Sequence, residues 1–183
     1  MKYLGNYKHL IKQEWISLLI ETKGTPISPW KDHKESEIED DVVIEQTTAT
    51  TKDEASLFSK DGIYGNKLIM AEIFTEENLP FPLNLQELNY LLDGDWWIVK
   101  QLPGQYMPMH RDTVHNQNDN IRIWMPLIDY TEGHIFIHEG KFVKDYTAGD
   151  LWQYNNDNDL HGSVNLGLTP RFILQISKKK IPW

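Results

Sequence analysis

From Trp96 onward the chain is cut by Gly, Pro, Asn and Asp into short runs rich in β-branched and aromatic residues, a spacing that leaves little room for helices. The runs are 96–102, 107–114, 121–130, 134–138, 141–143, 151–154, 161–165 and 171–178. Eight short strands with turn signals at close intervals predict two antiparallel sheets closed over one interior, a double-sheet jelly roll.

The N-terminal half reads differently. Leu10, Ile11, Trp15, Leu18 and Leu19 recur at helical spacing and predict an amphipathic helix over residues 6–22, ended by Gly24-Thr-Pro26. Residues 31–62 are polar and weakly periodic, with Val42-Val43-Ile44 as a candidate short strand. The run 67–74 fits strand or helix by pattern alone. Asn84 and Glu87 form a capping box before Leu88, Leu91 and Leu92, which predicts a second helix over 85–93, closed by Asp93-Gly94. The expected architecture is mainly β with flanking helices: a cupin-like double-stranded β-helix whose N-terminal helical layer covers one sheet. The 183 residues suit a single domain, with 1–95 as helical and loop support and 96–178 as the jelly-roll core.

Composition narrows the functional classes. With no cysteine, disulfides, zinc–thiolate sites and iron–sulfur clusters are excluded, and a reducing cytoplasm is the expected compartment. The apolar runs are short and the first residues lack a basic head followed by an apolar core, so neither a membrane span nor a signal peptide is expected. A net charge of −9 disfavours a nucleic-acid partner. Lys178-Lys179-Lys180, the one basic cluster, reads as a solubilising tail.

The chemistry gathers around Tyr106-Met-Pro-Met-His110-Arg-Asp112. In an extended segment His110 and Asp112 point to one side, roughly 7 Å apart, close enough to share a metal ion. A third donor must come from a strand distant in sequence, and His161 in Asp159-Leu-His161-Gly-Ser163-Val-Asn165 is the best candidate. Two imidazoles and one carboxylate on one side of an ion make the facial triad of non-haem Fe(II) oxygenases, which leaves positions open for co-substrate and oxygen. His115, His134 and His138 do not match a ligand position. His134 is near enough in sequence to tune the site.

His-x-Asp, a histidine 49 positions after Asp112 and Arg171 ten positions after that resemble the Fe(II)- and 2-oxoglutarate-dependent dioxygenase superfamily. Asn120-Ile-Arg122-Ile-Trp-Met-Pro126-Leu127 resembles the R-x-x-x-P-L strand of aspartyl/asparaginyl β-hydroxylase-like members, although Trp124 stands where that branch often has histidine. Gly149-Asp150-Leu-Trp152 resembles the G-D turn before the distal histidine. The similarity covers about residues 96–177. It implies an oxidoreductase with Fe(II) on His110, Asp112 and His161. It also implies 2-oxoglutarate and O2 as co-substrates, and hydroxylation of a C–H bond with release of succinate and CO2. Arg171 is then expected to pair with the distal carboxylate of 2-oxoglutarate, as a planar guanidinium fork suits.

Tyr106 resembles the helper tyrosine of prolyl-hydroxylase-like members. Arg122 and Ser163 are further candidates for the co-substrate, and Trp124 and Asn165 for the substrate. Trp152 reads as a core filler. The resemblance and the acidic composition favour a peptide, protein or amino-acid substrate. Two alternatives stay open: a small-metabolite oxygenase of the same superfamily, and a non-catalytic metal-binding cupin. A nucleic-acid demethylase of the AlkB type is disfavoured, because Arg171 is followed by Phe-Ile-Leu-Gln-Ile without a second arginine.

Overall fold

The computed structural model describes residues 1–27, 71–83, 94–111, 120–155 and 159–179. The expected helix over 85–93, the whole of 31–62 and Asp112 and His115 lie outside the described residues. Eleven strands and one α-helix are described: β1 (Lys2–Asn6), α1 (Gln13–Glu21), β2 (Thr25–Ile27), β3 (Ala71–Phe74), β4 (Asp95–Gln101), β5 (Tyr106–His110), β6 (Asn120–Pro126), β7 (His134–His138), β8 (Lys141–Val143), β9 (Asp150–Asn155), β10 (His161–Asn165) and β11 (Arg171–Lys179).

The strands form a seven-stranded sheet, ordered β1-β9-β6-β11-β4-β3-β2, and a four-stranded sheet, ordered β5-β10-β7-β8, antiparallel at every pairing. From β4 to β11 the chain passes to the other sheet at every step except the β7–β8 hairpin. That alternation is the jelly roll expected from the sequence, a double-stranded β-helix. Each predicted run from 96 to 178 overlaps one of these strands, and 71–74 settles as strand.

Alternation along each strand of the large sheet separates two cores. Ile98, Ile123, Met125, Leu151, Phe172, Leu174 and Ile176 face outward and pack with Trp15 and Leu19 of α1, with Phe74 and with Phe81, whose ring stacks on Trp15 at 4.9 Å. Val99, Trp124, Tyr154 and Ile173 face inward, toward Phe136 of the small sheet. The one described helix, α1, therefore lies on the outer face of the large sheet, and that sheet's other face lines the barrel.

The first helix is shorter than its periodicity predicted. Residues 2–6 are captured as edge strand β1 and 8–10 form a 3-10 turn, so α1 begins at Gln13. The cause is tertiary. Asn6 Nδ2 donates to the Ala148 carbonyl and to Asp150 Oδ1, and the Tyr7 amide donates to the Gly149 carbonyl at 2.8 Å. These bonds outweigh the weak local preference for helix. Gly149 has φ +82°, and a Cβ there would lie 2.2 Å from the Lys8 amide nitrogen, so the G-D turn is also the docking point of β1. The loop expected after Gly24 is a further edge strand, β2, held in the sheet by β3.

Candidate metal and carboxylate site

The inward residues fall into levels set by strand register. At one end His161 stands opposite His110 on β5 and opposite His138 on β7, so three histidines share a row across the small sheet. The rings of His110 and His161 are 4.4 Å apart between centroids. Tyr154, reaching across from the large sheet, lies 5.1 Å from His161 and 5.2 Å from His138. One level in, Ser163 stands opposite Phe136, whose ring stacks on Trp124 at 5.1 Å. At the other end Asn165 pairs with His134, and Arg171 pairs with Gln101.

Both paired histidines are oriented by the same device. His110 Nδ1 lies 2.7 Å from the Pro108 carbonyl and His161 Nδ1 lies 2.9 Å from the Asp159 carbonyl. A carbonyl only accepts, so each ring carries its proton on Nδ1 and its lone pair on Nε2, the tautomer a metal ligand needs. Two of the three expected ligands are thus brought together from strands far apart in sequence, while Asp112 lies outside the described residues. Among the described residues, no three His, Asp or Glu side chains converge as a ligand set. His138 shares the row but does not complete one, because its Nε2 is 2.9 Å from Asp159 Oδ2.

Between His110 and Tyr106 the register slips. His161 faces His110, yet Ser163 faces Met107, so β5 carries one extra residue, a bulge. Gly162 lies against it: a Cβ there would come within 3.0 Å of the Met107 and Pro108 carbonyls. The bulge changes the phase of β5, and Tyr106 comes into register with Val164 and Ile135 on the sheet's other face. The expectation that Tyr106 assists the co-substrate is therefore corrected. The tyrosine beside Arg171 is Tyr146, which sequence reasoning missed for want of any motif around it.

Arg171 is 2% exposed. Its Nη1 donates to Gln101 Oε1 at 3.2 Å, and its Cζ lies 5.9 Å from the rings of both Trp124 and Phe136. Nε and Nη2 are buried with no hydrogen-bond partner among the described residues, as is the Trp124 indole Nε1. Burial draws the pKa of Arg171 below arginine's ordinary value, against the opposing influence of Tyr146 and Tyr154. Burial likewise raises Tyr146, which the charge of Arg171 partly offsets. His134, fully buried, gives Nε2 to the Thr169 carbonyl at 2.8 Å and leaves Nδ1 without a partner among the described residues. Burial lowers its pKa; the Thr169 carbonyl opposes this and the Arg171 charge adds to it.

The remaining candidates separate. Arg122 faces inward as expected but pairs with Ser177, about 20 Å along β11 from Arg171 at strand rise, and lies over the Trp97 ring at 4.4 Å. It does not share a ligand carboxylate with Arg171. Asn165 is structural rather than substrate-binding: its Nδ2 donates to the Gln101 and Thr169 carbonyls at 2.8 Å each, and its Oδ1 accepts from the Gly167 amide. Trp124 is fully buried and forms the wall between Phe136 and Tyr146. Ser163 stays on the inward face between the two ends. Trp152 packs on Tyr3 at 4.8 Å.

No family model and no curated protein sequence matches the chain. Solved structures similar to it include a predicted oxalate decarboxylase from Thermotoga maritima, 19% identical over 60% of this chain and 80% of that one, with a TM-score of 0.41. KdgF from Halomonas sp. is 14% identical over 61% of this chain and 81% of that one, with a TM-score of 0.39. A sugar phosphate isomerase from a cupin superfamily, from Silicibacter pomeroyi, is 18% identical over 55% and 59%, with a TM-score of 0.37. The strand order by itself defines the barrel. No helix among the described residues is long and apolar enough to cross a membrane.

Proposed function

We propose that this chain is an Fe(II)- and 2-oxoglutarate-dependent oxygenase that hydroxylates a C–H bond of a peptide, protein or amino-acid substrate. The observation that carries this reading is Arg171, a buried cation with two nitrogens lacking an acceptor among the described residues. A buried guanidinium without an anion is costly, and a ligand carboxylate removes that cost. Phe136 lies 5.9 Å from Arg171 Cζ and 6.4 Å from the His161 ring, so the guanidinium and the imidazole are both neighbours of one phenyl ring.

His110 and His161 would hold the iron through Nε2, with Asp112 as the expected third ligand, a donor set suited to ferrous iron with open positions. Bound there, iron and 2-oxoglutarate supply the activation of O2 that ends in substrate hydroxylation and release of succinate and CO2. The chain's own part is positioning. The Pro108 and Asp159 carbonyls fix the two rings, Arg171 with Gln101 holds the far carboxylate, and Trp124, Phe136 and Tyr154 keep water from the space between. A metal-binding cupin without co-substrate gives Arg171 no role.

The test is anaerobic titration of the Fe(II) protein with 2-oxoglutarate, read by the visible charge-transfer band of a chelated keto acid. Wild type should give the band. His110→Ala should lose it with the iron, and Arg171→Met should lose it while still binding iron. A wild type that binds iron normally and gives no band overturns the assignment in favour of the metal-binding cupin.

A further inference from the structure

The arginine end of the barrel contains an imbalance that a carboxylate alone does not cure. Arg171 offers Nε and Nη2 as donors, and His134 offers Nδ1 as an acceptor, all buried and all without a partner among the described residues. The Nδ1 is an acceptor because Nε2 is committed to the Thr169 carbonyl, which fixes the proton there. A carboxylate satisfies the two arginine donors and presents a second set of lone pairs to His134. One proton is missing.

We propose that His134 is the second half of the carboxylate anchor: when a carboxylate pairs with Arg171, Nδ1 takes a proton from solvent and donates it to the bound ligand. This rests on the reading of Arg171 as the co-substrate anchor. The only bond made is N–H, and the charge balances as one anion and one proton entering beside one existing cation. The electrostatics agree. In the empty site burial and the Arg171 charge both hold His134 neutral, and a bound anion cancels the second influence.

Among the described residues, few groups face His134. From β11 comes Arg171, from the segment before β9 Tyr146, whose hydroxyl lies 3.5 Å from the His134 carbonyl, and behind it Tyr130 at 5.5 Å between rings. From β10 and the turn after it come the uncharged Asn165 and Thr169. Burial raises Tyr146, which stays a neutral phenol, so His134 is the group left to accept the proton. Because its empty-site pKa lies below the ordinary histidine value and ligand binding raises it, affinity for the carboxylate should climb as pH falls through the bound-state pKa. It should level off below the empty-site pKa.

The full-length protein, loaded with Zn(II) in place of iron to prevent turnover, is titrated calorimetrically with 2-oxoglutarate in two buffers of different ionisation enthalpy, from about pH 8 to pH 6. The expected result is uptake approaching one proton, with affinity rising by up to about tenfold per pH unit. His134→Gln, which keeps a donor for Thr169 and removes Nδ1, should bind with no uptake and little pH dependence. Nitrogen-15 shifts of the wild-type imidazoles give the same answer without a variant: His134 Nδ1 should move from the acceptor to the protonated range on ligand addition. Binding without proton uptake, or uptake that survives in His134→Gln, overturns the role of His134 and leaves the Arg171 anchor standing. Failure of the Zn(II)-loaded wild type to bind 2-oxoglutarate at any pH overturns both.

Discussion

Lys100 and Arg171 sit one register step apart on neighbouring strands, on opposite faces of one sheet, and both are buried. Lys100 faces the helix. Its Nζ pairs with Glu72 at 3.2 Å and donates to the Ile20 and Thr22 carbonyls at the C-terminal end of α1, where cations are favoured by the helix dipole. Glu72 in turn accepts from the Gly24 amide. Every part of that cation is answered by the chain. Arg171 faces the barrel with one donor answered by a neutral glutamine and two by nothing described. Burial is the same on the two faces; satisfaction is what differs. A satisfied buried charge reads as structure, and a half-satisfied one beside a pair of oriented imidazoles reads as a place kept for a ligand.

Removing either cation tests that contrast, with opposite signs expected. Lys100→Ala leaves the half-buried Glu72 without its cation and should cost about 2–4 kcal/mol in a denaturant melt. Arg171→Met should raise stability by about 1–3 kcal/mol, since it removes unsatisfied buried donors, while abolishing 2-oxoglutarate binding in the charge-transfer titration. Gln101→Glu would give Arg171 a carboxylate of its own, as Lys100 has. It should stabilise by about 1 kcal/mol and weaken co-substrate affinity by competition, measured by melting and titration in parallel. A melt that shows Arg171→Met to be as damaging as Lys100→Ala would erase the distinction between the faces.

The smallest expected effect concerns Asp150, far from either cation. Burial acts to raise its pKa, but hydrogen bonds from Asn6, the Thr147 amide and Tyr3 outweigh it and hold the carboxyl below the usual aspartate range. Its contribution is therefore present above the unfolded-state value and lost as pH falls through the folded-state value. Asp150→Asn should flatten the decline in stability over acid pH and leave the curve near neutrality with the same slope.

The barrel was legible because its signals are local: alternation and turn residues mark each strand between Trp96 and Lys178 without reference to any other. His110, His161 and Arg171 were legible because their residue types and order are chemically unusual together. What escaped depends on distant partners. Asn6 and Tyr7 look like helix until the Gly149 turn is beside them. Asn165 looks available until the Gln101 and Thr169 carbonyls claim both its amide hydrogens. Lys100 and Gln101 are two ordinary residues in a strand, and only the sheet decides that one meets a helix end and the other a buried guanidinium. Tyr106 was expected from a resemblance alone, and the bulge between it and His110, invisible in the sequence, brings it into register with Val164 on the sheet's other face.

The bulge in β5 also decides which changes of chain length the histidine pair can absorb. Deleting a single residue among Met107, Pro108 and Met109 would restore unbroken pairing with β10 while leaving His110 opposite His161 and Tyr106 opposite Val164, because the bulge is the one residue the ladder does not use. The ladder in this segment therefore tolerates the loss of one residue but not the gain of one without a second bulge.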